Sequence, residues 1–150
     1  MSTDLPSKDL LLDACAGTVA VPHPLLQAAY ELASLHEARH VADPGERSGI
    51  DCARVRLIHD IDRWTAHALP RPFAAASLHT ETLGMVVDRM AEFSVAARSA
   101  LAATDPECLL HHAWTRLADL SLAYADLSHD LAARTRRIPD SITPHPGDPR

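Results

Sequence analysis

Residues 110–131 read LHHAWTRLADLSLAYADLSHDL, and their apolar spacing decides the fold. Leu110, Ala113, Leu117, Leu120, Tyr124, Leu127 and Leu131 recur at intervals of 3, 4, 3, 4, 3 and 4. That spacing is an a/d seam on one face of an α-helix. Thr104 or Asp105 is expected to cap this helix, with Pro106 in its first turn. It is expected to run to about residue 137, where Arg134, Arg136 and Arg137 suit the negative end of the dipole.

The same period appears upstream. Leu83, Val87, Met90, Ser94, Ala97 and Leu101 predict a helix from about 78 to 102. Ile50, Leu57, Ile61, Trp64 and Ala68 predict another from about 47 to 69, ending at Pro70. Leu25, Ala29 and Leu32 predict a third from about 24 to 42, opened by Pro24 and closed near Asp43-Pro44-Gly45. Residues 8–15 suit a short helical turn before Gly17. No stretch alternates with period two, and no hairpin turn is present. The expected fold is all-α: an antiparallel bundle of four main helices with a short N-terminal helical turn. Residues 8–139 form its single domain, between a disordered 1–7 and a proline-rich, disordered 140–150.

The composition agrees. The chain is 47% hydrophobic but only 4% aromatic, which favours helices over strands. A net charge of −6 argues against nucleic acid as a partner. Cys15, Cys52 and Cys108 are odd in number and widely spaced, so no disulfide framework or C-x-x-C site is expected. No basic-then-apolar leader and no long apolar run is seen, so a cytoplasmic chain without a membrane partner is expected. Histidine is unusually frequent, with ten residues.

Two of these lie in H-E-A-R-H, residues 36–40, which matches the zinc-hydrolase pattern H-E-x-x-H. His36 and His40 extend the stripe of Leu25, Ala29 and Leu32, so both are expected to face inward, one turn apart. The plainer reading is a pair of partly buried histidines, each bonded to a carboxylate or carbonyl. A zinc peptidase also needs a third ligand and usually a strand edge for its peptide. With this composition, chance yields the pattern roughly once in forty such chains, which argues against a zinc peptidase. A di-iron carboxylate site would use Glu37 and His40 with an echo in Asp126 and His129, but Asp126 points away from its helix seam.

A simple up-and-down path sets His36 and His40 near His111 and His112. It sets His67, His79, Glu81 and His129 at the other end, roughly 20 Å away, with Asp62 about two turns below them. Residues 78–90, LHTETLGMVVDRM, carry Glu81 in a first helical turn. Glu81, Asp88 and Glu92 share a face that reads as solvated, or that turns Glu81 and Asp88 to a cleft or subunit interface with Arg89 as an ion-pair partner. Gly84 costs helix stability, which points to a close approach.

TETLGMVVDRM, IHDIDRW, LHEAR and AWTRLADLSLAYADL followed by RRIP together resemble the bacterial domain of unknown function family 4254. The resemblance covers roughly residues 25–139. Its most specific piece is S/T-E-T-x-G-x-x-x-D-R, matched by Thr80, Glu81, Thr82, Gly84, Asp88 and Arg89. Asp62 and His36 fall on the family's motif positions, and His40 does not. The chain is shorter than many relatives and lacks their Asn/Gln/Arg-rich stretch around the second long helix. The resemblance implies an all-helical fold and bacterial origin, and no particular reaction.

The functional expectation is a site for a small-molecule metabolite without a cofactor. His36, Asp62, His79 and Glu81 are its candidate acid-base groups, and Trp64, Asp88, Arg89 and Trp114 its candidate substrate contacts. Proton transfer, elimination or cyclisation, the work of a lyase or isomerase, fits those groups. Two alternatives stand beside it. One is a non-catalytic, homodimeric binding or partner protein, with Leu122 off the last helix's seam as a contact. The other is a zinc or iron enzyme with His36, His40 and His111 as ligands.

Overall fold

The computed structural model describes residues 4–139. Its helices are α1 (Lys8–Cys15), α2 (Pro24–Val41), α3 (Pro44–Ala68), α4 (Leu83–Ala102) and α5 (Glu107–Ala132). Two two-residue strands, β1 (Ser77–Leu78) and β2 (Arg136–Arg137), pair in parallel. The fold is all-α apart from that pair. No helix among the described residues is long and apolar enough to cross a membrane.

Local chemistry sets the helix starts. Ser7 caps α1 by accepting the Leu10 N–H. His23 caps α2: its Nδ1 accepts the Leu25 N–H at 3.0 Å, while Nε2 donates to the Asp4 carbonyl at 3.0 Å. Asp43 accepts the Glu46 N–H ahead of Pro44 at the start of α3. Thr82 accepts the Met85 N–H to open α4. The position before α5 is Pro106, which makes no side-chain cap bond, so neither Thr104 nor Asp105 has the expected role.

Two expected boundaries move for one reason. Helix α4 begins at Leu83 rather than near 78, and α5 ends at Ala132 rather than near 137. The residues released form the strand pair, with Ser77 in register with Arg136 and Leu78 with Arg137. Arg134 turns the chain with φ of 67°, so the three arginines do not extend the last helical turn. Residues 4–7 were expected to be disordered, yet Pro6 is buried and its carbonyl accepts the Tyr124 hydroxyl at 2.7 Å. Residues 1–3 and the proline-rich tail from 140 lie outside the described residues.

Helix α4 is the hub. It packs against α1, α2, α3 and α5, whereas the backbone of α5 comes close to α4 and α1 but not to α2 or α3. Helix α1 is therefore a full packing element, seated between α2 and α5, and not a mere turn. Leu11, Leu26, Leu32, Leu83, Val87, Met90 and Ala97 are fully buried around this axis. Each large apolar side chain there contributes about 1.5–3 kcal/mol of transfer free energy. The expected seams hold unevenly. On α5, Leu117, Tyr124, Leu127 and Leu131 are buried while Leu110 and Leu120 are only partly so. On α3 only Ile61, Asp62 and Thr65 are buried.

Candidate functional site

Three helices meet around one carboxylate. Asp88 on α4 is 6% exposed and accepts from His36 of α2 and Arg54 of α3. His36 Nε2 lies 2.8 Å from Asp88 Oδ1. Arg54 grips both oxygens, Nε to Oδ1 at 3.2 Å and Nη2 to Oδ2 at 2.7 Å. This is the bidentate fork that guanidinium and carboxylate geometry favours. Arg54 Nη1 continues to Asp51 at 2.9 Å, and Asp51 accepts Arg39 Nε at 2.9 Å.

Burial pushes the Asp88 carboxyl up, but the His36 and Arg54 hydrogen bonds and the Arg54 charge outweigh it and leave its pKa below the ordinary value. Bonding to Asp88 holds the Arg54 guanidinium above its ordinary value. Asp51 is held low, chiefly by its hydrogen bonds from Arg39 and Arg54. An ionised Asp88 can only accept, so the proton between it and His36 sits on Nε2. In the neutral imidazole, Nδ1 is then the basic nitrogen.

His36 also lines a cleft of about 180 Å³, together with Arg39, His40, Arg47 and Glu92. Its position follows from the sequence: the Leu25–Ala29–Leu32 stripe buries that face of α2, and one more turn carries it to His36 at the rim. His40 is exposed at the same cleft instead of inward. Glu37 turns away and pairs with Arg98 of α4 at 3.1 Å, so it does not stand between the two histidines as a zinc hydrolase's base would.

The other expected site residues are not gathered there. Asp62, 7% exposed, accepts the Gly84 N–H at 2.8 Å and thereby ties α3 to the first turn of α4. A Cβ at Gly84 would run into the Ile58 carbonyl oxygen and come within 2.8 Å of Asp62 Oδ1. The glycine thus permits the close approach inferred from its cost. Glu81 Oε2 pairs with Arg89 at 2.5 Å, and His79 Nδ1 accepts the Glu81 N–H at 3.2 Å. Trp64 packs edge-on to His23, with ring centres 5.0 Å apart, and Trp114 is 41% exposed on α5. His111 does not join His36 and His40 in a ligating group. Among the described residues no three His, Cys, Asp or Glu side chains are grouped to hold a metal ion.

Asp88 and Gly84 are one turn apart on α4, a rise of about 6 Å. His36 therefore reaches α4 only one turn from the Asp62 contact. The partners missed from sequence were Arg54, Asp51 and Arg47. Arg54 left a signal: it falls four residues after Ile50 and three before Leu57, at a seam position where an apolar residue is expected.

The family described as "Protein of unknown function (DUF4254)" matches residues 46–139, and the chain belongs to it. No curated protein and no solved structure matches the chain.

Proposed function

We propose that this DUF4254 protein binds a small polar metabolite in the cleft at His36 and acts on it by acid-base chemistry. The observation that carries the reading is the buried His36–Asp88 hydrogen bond at the edge of that cleft. A carboxylate that orients an imidazole and stabilises its protonated form is the arrangement general acid-base catalysis needs. In this reading His36 is the acid-base residue, Asp88 orients it, and Arg54 keeps Asp88 ionised and in place. Asp62, His79 and Glu81 are then supports for the start of α4. Proton transfer, elimination or cyclisation on a metabolite needs no group beyond these. The four long helices, taken as an up-and-down set with short connections, form the frame.

The test is proton NMR of a mixed metabolite pool incubated with the protein in D₂O. Turnover, or exchange of a carbon-bound proton, is expected with the native chain and not with His36→Gln. Equal spectra with and without the native protein, or equal activity in the variant, would reject the catalytic reading. A second reading, a non-catalytic partner protein, draws support from an apolar groove of about 500 Å³ between α2 and α3. Tyr30, Leu35, Ala53 and Leu57 line it, with Glu31 and Arg56. Leu122, the expected dimer contact, is 56% exposed. Sedimentation of the native chain against Leu35→Asp and Leu122→Asp separates the two faces. A mass above the monomer that one variant lowers would locate the contact.

A further inference from the structure

We infer that the cleft's ligand is a small zwitterion of the amino-acid kind, its anionic group met by Arg47 and Arg39 and its ammonium by Glu92. The inference rests on the cleft being the working site. Its lining brings Arg39 and His40 from α2, Arg47 from α3 and Glu92 from α4 to one opening. Arg39 is already engaged with Asp51. Arg47, His40 and Glu92 have no ion-pair partner among the described residues, although they share the cleft. Opposite charges that line one opening without reaching each other are best bridged by a molecule that carries both complementary charges. A plain anion would satisfy Arg47 but be repelled by Glu92, and a plain cation would meet the reverse.

Size points the same way. The cleft volume is about 180 Å³. It falls below the roughly 300 Å³ at which pockets for drug-sized ligands begin. An amino acid or a close derivative is of this scale. Arg47 and Glu92 are both exposed, so replacing either tests recognition without removing a core contact.

The experiment screens the full chain against the standard amino acids by thermal shift and by the His36 ring resonances. Calorimetric titration then compares the tightest binder with its deaminated acid and its decarboxylated amine. The amino acid should bind at least about tenfold more tightly than either relative. Glu92→Gln should erase the advantage over the acid, and Arg47→Gln the advantage over the amine. An acid that binds the native chain as tightly as the amino acid, or ratios unchanged in both variants, overturns the inference. If acetate or phosphate binds in an Arg47-dependent way while the ammonium makes no difference, the cleft stands and the zwitterion falls. If no probe moves the His36 resonances, both fall.

Discussion

Two stretches of α4, one turn apart, use similar residues for different ends. At its start, Thr82 and Asp62 satisfy backbone donors, Asp62 fixes the helix on α3, and Glu81 pairs with Arg89 along the helix's own side. At Asp88, the same helix meets His36 and Arg54 beside a cleft. The first set closes on itself. The second ends at a surface where a ligand can reach it. Position in a motif therefore does not identify a working residue; what lies on the far side of the hydrogen bond does. If this division is right, changes at the start of α4 alter stability alone, and changes around Asp88 alter both stability and His36.

The sharpest test removes the carboxylate. Asp88→Ala leaves Arg54 and His36 facing a gap, and breaking a buried pair on one side costs about 3 kcal/mol. Arg54 keeps Asp51, which holds the loss near the low end of what such pairs show. Urea unfolding measures it, and a loss under about 1 kcal/mol would mean that the network is not held by Asp88. Gly84→Ala comes next, at about 2 kcal/mol, because its Cβ meets the Ile58 backbone and cannot be relieved by a rotamer change. The comparison is sharpened by following the His36 ring resonances by NMR in both variants. They should shift in Asp88→Ala, which loses the hydrogen bond to Nε2, and stay put in Gly84→Ala.

Acid supplies a third, smaller contrast. The Asp88 pKa is depressed in the folded state, so its contribution is fully present above the unfolded carboxylate value of about 3.9. It is lost as pH falls through the lower folded value. Between pH 7 and 5 the native chain and Asp88→Asn should keep a constant stability difference. Below about pH 4 that difference should shrink. A difference that shrinks already between pH 7 and 5 would assign the pH dependence to another group, such as a histidine.

Much of the fold was legible because α4 and α5 bury long apolar seams, and a 3–4 spacing survives any detail of the packing. The hub role of α4 was not legible. Its buried positions include Gly84, Asp88, Ala91 and Val95, which a one-stripe reading assigns to a flank. The division of the histidines was half legible. The stripe through Leu32 placed His36 inward correctly, but carrying it one turn further to His40 ran past the end of the packed region. The Asp88 partnership could not be read at all, since it joins residues 36, 54 and 88 across three helices and depends on their relative height. A short parallel strand pair also escaped notice, because two residues are too few to show alternation.

The smallest expected effect is the one that most directly probes the division. Glu81 and Arg89 form a short ion pair, and both match the family's most specific segment, so a motif-based argument would rank Glu81 among the working residues. The physical argument ranks it low. Its side chain is 28% exposed, Arg89 is 43% exposed, and exposed pairs of this kind contribute about 0.5 kcal/mol or less once solvent screening is counted. Glu81→Gln keeps the length of the side chain and its capacity to accept from Arg89. It should therefore shift urea unfolding by less than about 0.5 kcal/mol and leave the His36 ring resonances unchanged. A clear loss of ligand binding in Glu81→Gln, with His36 unaffected, would place the working surface at the start of α4 and reverse the assignment of the two stretches.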